Sequence, residues 1–246
     1  MIAIITGASS GIGREFAYQV DDLGFEEIWL IARRVDRLKD ISKDLKTKSK
    51  VLNYDLLEDS SYEDFSKVLK ENTPEIGLLI NSAGLGYNDY FENISLSDED
   101  KLIDLNIKSP TRLIKIALPF MARPSTIINL GSVAGFLPQG KFASYAASKS
   151  YIISLSRALN RELRPKKIHV ACLCPNPVDT EFSASSEDSI KKFAKEDIKK
   201  LVKKALKKAG YKDLITTHPA SKFILVISKI LPHSFIMRVE KIIGLY

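Results

Sequence analysis

Cysteine is scarce in this chain: of 246 residues only Cys172 and Cys174 are thiols, and only three are histidine. Two residues apart in an apolar run, the cysteines share one face of a strand with Cα atoms about 6.6 Å apart. That is near the upper limit for a disulfide, and two thiols with no histidine pattern beside them make a poor metal site. Buried, reduced thiols and no metal are the expectation. Long apolar runs are lacking as well. No segment reaches the roughly 18 uncharged apolar residues of a membrane-spanning helix, and the chain enters a β-like run at Ile2 without a basic-then-apolar leader. These absences point to a soluble, cytoplasmic protein. Nor is there a repeat, a low-complexity stretch or a Gly/Ser/Pro linker to mark a second domain. Excess positive charge is equally absent outside one place. Between Ile190 and Ala209 nine lysines face two acids, which accounts for the whole net charge of +7. Elsewhere the chain is neutral, and a groove of spread Lys and Arg with interleaved aromatics is missing, which argues against a nucleic-acid partner.

What is present is alternation. Short β-branched apolar runs at Ile2–Ile5, Glu27–Ile31, Lys50–Tyr54, Leu78–Asn81, Thr126–Leu130, His169–Cys174 and Leu214–Thr217 read as strands. Between them, helical periodicity runs over Gly11–Leu23, Arg34–Lys46, Ser60–Lys70, Ser97–Phe120 and Ser144–Arg164, with the lysine-rich Ile190–Ala209 after the sixth strand. A βα alternation of this kind predicts an α/β doubly wound parallel sheet of about seven strands with helices on both faces. In such a sheet ligands bind outside the carboxyl ends of the strands, so chemistry is sought just after each strand.

Directly after the first strand comes Thr6-Gly7-Ala8-Ser9-Ser10-Gly11-Ile12-Gly13, opening into a helix. Glycines let the backbone turn tightly and approach a pyrophosphate, and the helix N-terminus attracts it. After the second strand, where an NAD site carries an acid for the ribose hydroxyl, the chain reads Arg33-Arg34. A guanidinium binds a 2′-phosphate that an acid would repel, so NADP(H) is the expected cofactor. The spacing Gly-x-x-x-Gly-x-Gly resembles the short-chain dehydrogenase/reductase family, whose fold is Rossmann-like. That resemblance implies further contacts: Asp55 and Leu56 at the adenine, the Asn81-Ser82-Ala83-Gly84 turn in place of the family's Asn-Asn-Ala-Gly, and Pro175, Val178 and Thr180 at the nicotinamide. Asn176 stands where the family has glycine, and is expected to take a left-handed backbone there.

The strongest signal is Tyr145-Ala146-Ala147-Ser148-Lys149 with Ser132 at the end of the fifth strand. Four residues apart on a helix, Tyr145 and Lys149 share a face. Reducing a carbonyl needs a hydride on carbon and a proton on oxygen. Free tyrosine, near pKa 10, is too weak an acid by roughly three units, or about 4 kcal/mol. One cation about 4 Å away at an effective dielectric near 20 supplies an interaction of that size. The resemblance, which spans residues 2 to 182, implies that Ser132 polarises the substrate, Tyr145 is the acid/base and Lys149 binds the nicotinamide ribose. Asn106 matches the family asparagine that holds a water against the lysine. It also implies a homodimer or homotetramer, pairing through the helices that carry Asn106 and Tyr145.

One domain, 1–246, is expected, with 181–246 forming a substrate lid, a basic helix and an apolar C-terminal extension. Phe136, Phe142, Tyr87, Tyr90, Phe91 and Phe182 are candidates to wall a pocket for an apolar carbonyl or alcohol: acyl, steroid-like or another ketone or aldehyde. In the basic segment an apolar stripe lies opposite the lysines, which reads as a helix packed on the domain, with peripheral membrane contact the less favoured alternative. Two other function classes compete with the oxidoreductase. A catalytically silent NADP(H)-sensing protein of the same fold would need no intact catalytic set, and an epimerase or dehydratase would carry a longer substrate domain.

Overall fold

A computed structural model describes residues 1–178, 181 and 196–242, the last three by backbone alone. Seven strands form one sheet: β1 (Ile2–Thr6), β2 (Glu27–Ala32), β3 (Ser49–Asn53), β4 (Ile76–Asn81), β5 (Met121–Leu130), β6 (Ile168–Leu173) and β7 (Leu214–Ile215). Their order is β3-β2-β1-β4-β5-β6-β7, and every neighbouring pair is parallel. The winding reverses between β1 and β4, which opens a crevice beyond their carboxyl ends.

All five residues of β1 are buried, as a parallel strand covered on both faces requires. Alternation sorts its side chains. Ala3 and Ile5 join one core with α1 (Gly11–Val20), α2 (Val35–Asp44) and α7 (Ile198–Lys208), while Ile2 and Ile4 join the other with α3 (Asp59–Asn72), α5 (Ser109–Ala117) and α6 (Ala143–Leu163). α7 buries Leu201, Val202 and Ala205 and leaves its lysines outward, so the packed-helix reading holds over the part of the basic segment that is described. Two further helices, α8 (Pro219–Ile230) and α9 (His233–Ile242), follow β7.

The single helix expected over Ser97–Phe120 is interrupted. α4 (Leu96–Ile103) passes through a π turn at Asp104–Lys108 into α5. Pro110 has no N–H to give the carbonyl of Asn106, four residues back, and the register widens: the Ser109 N–H donates to the Asp104 carbonyl instead. Asn106 sits in the middle of this turn.

Candidate active site

The glycine turn is shaped for a close approach. Gly7 has φ +65, and a Cβ there would lie 2.8 Å from the Ala83 backbone nitrogen; one on Gly13 would lie 2.3 Å from the Gly7 carbonyl oxygen. Thr6 Oγ1 accepts the N–H groups of Ser82 and Ala83, fastening the turn after β4 to the turn after β1. Ser10 holds the N-cap position of α1 but makes no side-chain cap bond; its hydroxyl accepts from Arg34 at 2.6 Å instead. The first-turn N–H groups of α1 are thereby left to an outside anion, and with the glycine cradle they fit the pyrophosphate of a dinucleotide.

From this turn a cavity of about 730 Å³ runs along the carboxyl edge of the sheet. Gly7, Ser9, Ser10, Gly11, Ile12, Gly13, Arg33, Arg34, Asp55, Leu56, Ala83 and Gly84 line one end. Ser132, Tyr145, Lys149, Pro175 and Val178 line its middle. Lys149 is buried, donates to the Leu130 carbonyl at 2.9 Å, and holds its nitrogen 5.5 Å from the centre of the Tyr145 ring. Ser132 Oγ accepts the Ala134 N–H at 3.1 Å and hydrogen-bonds the Tyr145 phenol. Phe142 flanks that phenol with ring centroids 4.3 Å apart. Asn106 ties both its side-chain atoms to the Leu85 backbone at 2.8 and 2.9 Å and donates to Ser148 at 3.0 Å. A Cβ on Gly84 would meet Asn106 Oδ1 at 3.1 Å and Lys149 Nζ at 3.4 Å, which brings the asparagine and the lysine to one point.

Burial rules the electrostatics. It pushes the Tyr145 phenol up to about 12, against the lowering effect of the Ser132 hydrogen bond. It pushes Lys149 down to about 8. The lowering expected from the lysine is not among the causes of the Tyr145 shift; desolvation dominates for both groups. Cys174, buried beside Cys172, is pushed up and is a neutral thiol; the two sulfurs share a hydrogen bond at 3.8 Å and form no disulfide.

Residues 1–191 match the family of short chain dehydrogenases. The chain belongs to that family. It is 32% identical over 193 residues to an uncharacterised oxidoreductase of Staphylococcus epidermidis, covering 78% of this chain and 84% of that one. It is 31% identical over 202 residues to the very-long-chain 3-oxoacyl-CoA reductase of Rattus norvegicus, covering 79% of this chain and 64% of that one. Among solved structures, a short-chain dehydrogenase from Sphingobium yanoikuyae in complex with NADPH superposes with TM-score 0.80 at 28% identity, over 93% of each chain. This short-chain dehydrogenase is therefore an oxidoreductase of a family that acts on carbonyl or alcohol groups with nicotinamide cofactors.

Not every expected position lies on the cavity of this short-chain dehydrogenase. Asn81 is buried and turned into the sheet, donating to Asn129 at 2.8 Å, which donates in turn to Ser156 of α6 at 2.9 Å. It holds β4 to β5 and does not line the cavity; the backbone of Ala83 and Gly84 does. Arg33 leans toward Asp55, 3.8 Å away, so these two expected contacts share a surface ion pair. Asn176 does not adopt a positive φ; among described non-glycine residues only Thr73, Lys141 and Lys167 do. Its successor is Pro177, and a residue before proline is driven to extended backbone. Its N–H donates to Glu196 at 3.0 Å. Thr180 and Phe182 lie outside the described residues, as does the basic segment from 190 to 195. Of the expected aromatic wall Phe142 lines the cavity, whereas Tyr90 and Phe91 are exposed and Phe136 packs into a neighbouring core. The wall that sequence reasoning missed is Ala220, Phe223, Ile224, Ile227 and Ile236, from α8 and α9. Its signal was an apolar tail interrupted by charges such as Lys222 and Lys229, a helix with one apolar face to place against something.

Proposed function

We propose that this chain is an NADP(H)-dependent carbonyl reductase with Tyr145 as the proton donor and an apolar substrate. The observation that carries the reading is the convergence of Ser132, Tyr145 and Lys149 in one cavity with the Gly7–Gly13 turn. When bound, the cofactor supplies the hydride that adds to the carbonyl carbon. Tyr145 then gives its proton to the carbonyl oxygen, completing the alcohol. Ser132, whose hydroxyl hydrogen-bonds the Tyr145 phenol in the free site, turns its proton to the same oxygen when substrate is bound. Lys149, anchored on the Leu130 carbonyl, presents positive charge beside the phenol and the ribose site. A phenol near 12 arrives protonated at neutral pH. An alkoxide comparable to hydroxide, whose conjugate acid water has a pKa of about 15.7, still takes its proton downhill.

Arg33 and Arg34 at the adenosine end support NADP(H), and the NADPH-bound relative is consistent with it. The α8 and α9 side chains support an elongated apolar carbonyl, an acyl chain above all. No helix among the described residues is long and apolar enough to cross a membrane; a cytoplasmic location is part of the proposal. We pair it as a dimer through the helices that carry Asn106 and Tyr145, where Ile103 and Tyr151 are exposed. We read 1–246 as one domain whose residues from 181 onward cover the substrate. The deciding experiment follows NADPH oxidation with a panel of aldehydes and ketones. Tyr145→Phe is expected to lower kcat by about 10²- to 10⁴-fold while the affinity for NADPH is kept. Binding without oxidation of NADPH by any carbonyl would instead establish a cofactor sensor.

A further inference from the structure

Two guanidinium groups at the adenosine end of the cavity converge on one carboxylate. Arg34 Nη1 donates to Glu181 Oε2 at 2.6 Å, and Arg37 Nη1, one helical turn on, donates to Glu181 Oε1. Arg34 is further fixed by Ser9 at 3.2 Å through Nε and by Ser10 at 2.6 Å through Nη2. Its guanidinium therefore cannot swing away without breaking contacts to the glycine turn itself. Glu181 also lines the cavity. It comes from the far side of the sheet, beyond β6, whereas both arginines follow β2. The two arginines hold its carboxyl below the usual carboxylate range, so it is an anion at any neutral pH.

A carboxylate that offers one oxygen to each of two arginines presents the same pattern as two oxygens of a phosphate monoester. Two of the groups that would receive a ribose 2′-phosphate, Arg34 and Arg37, are thus already neutralised from within the chain. We propose that Glu181 is an internal surrogate for the 2′-phosphate: it occupies the Arg34–Arg37 site, must be displaced by a phosphorylated cofactor, and so narrows the discrimination between phosphorylated and unphosphorylated dinucleotides. This rests on the reading that the arginines face the adenosine ribose. Arg37 then becomes a second phosphate ligand, and Glu181 a specificity-determining residue contributed by a segment remote in sequence from both arginines. The acid that an NAD site carries directly after its second strand is here supplied in trans along the chain.

The test uses 2′,5′-ADP and 5′-AMP, which carry the adenosine end with and without the phosphate, titrated calorimetrically into the wild type and Glu181→Gln. The glutamine keeps shape and removes charge at an exposed position, so the fold is retained. Removing a competitor of surface ion-pair strength tightens 2′,5′-ADP by about fivefold and moves 5′-AMP less than twofold. Arg37→Gln weakens 2′,5′-ADP and, combined with Glu181→Gln, shrinks that gain. An unchanged or weakened affinity of Glu181→Gln for 2′,5′-ADP overturns the proposal, the weakened case making Glu181 a clasp that retains the cofactor. The two readings fail separately. Wild type binding both nucleotides equally, with the gain in the variant present, sinks the NADP preference and keeps the surrogate; a preference in wild type that the variant does not alter does the reverse.

Discussion

Lys149 is an ammonium held where water is scarce, and that placement has a thermodynamic signature. Its amine titrates near 10.4 in an unfolded chain, and burial brings it to about 8 in the folded one. Between those values the unfolded state binds more protons, so the stability of the wild type rises with pH across that window. Below pH 8 the fold carries a cost on the order of 3 kcal/mol for keeping the charge, set against the hydrogen bond to Leu130. Lys149→Met removes both the charge and its titration. The melting temperature of the variant relative to wild type is expected to be most favourable near pH 7 and to decline steadily toward pH 10.5. Tyr145 titrates above that range and is common to both proteins, so it cancels in the difference. A difference that stays flat from pH 7 to 10.5 contradicts a buried, charged lysine. At this scale the residue types were legible and their energetics were not. Four-residue spacing announces that a phenol and an amine are neighbours, but says nothing of how deeply both are buried, and burial decides the sign of each shift.

Elements were legible in proportion to how local their causes are. β1 needed only its continuous apolar run, and α6 its uninterrupted helical periodicity. The π turn at Asp104–Lys108 depends on one missing donor at Pro110, which a periodicity count passes over. Asn176 stays out of the left-handed region, as a residue before Pro177 is driven to do, while analogy with glycine points the other way. The cavity wall from α8 depends on tertiary packing alone, since periodicity shows that the helix is apolar without showing what it faces. In that wall Ile224 and Ile227 lie one turn apart and both reach the cavity. Truncating both to alanine removes apolar contact worth about 1 to 3 kcal/mol per side chain. For a long-chain ketone, kcat/KM is expected to fall at least tenfold, with a two- or three-carbon carbonyl almost unaffected. An equal loss for long and short substrates would show that α8 supports the fold and not the substrate.

On the scale of the whole molecule, the site exists only where separate elements are held in register. The turn after β1 is pinned to the turn after β4 through Thr6, β4 to β5 to α6 through Asn81, Asn129 and Ser156, and β5 to α6 again through Lys149 and Leu130. The order of strands, and so the side of the sheet on which ligands bind, followed from βα alternation, because parallel strands admit few connections. The arginine–glutamate clasp did not, because its partners are separated by most of the chain. A ligand that touches the ends of β1, β2, β4, β5 and β6 together binds the folded state and not the unfolded one. At about one hundred times its dissociation constant, NADPH should add about 2.7 kcal/mol, which for a chain of this size raises the melting temperature by about 5 to 10 °C. Gly13→Ala places a methyl 2.3 Å from the Gly7 carbonyl oxygen and forces the turn open. The shift caused by NADPH, measured from the variant's own baseline by scanning fluorimetry, is then expected to fall to under a third of the wild-type value. Retention of the full shift by Gly13→Ala would mean that the cofactor does not rest on this turn.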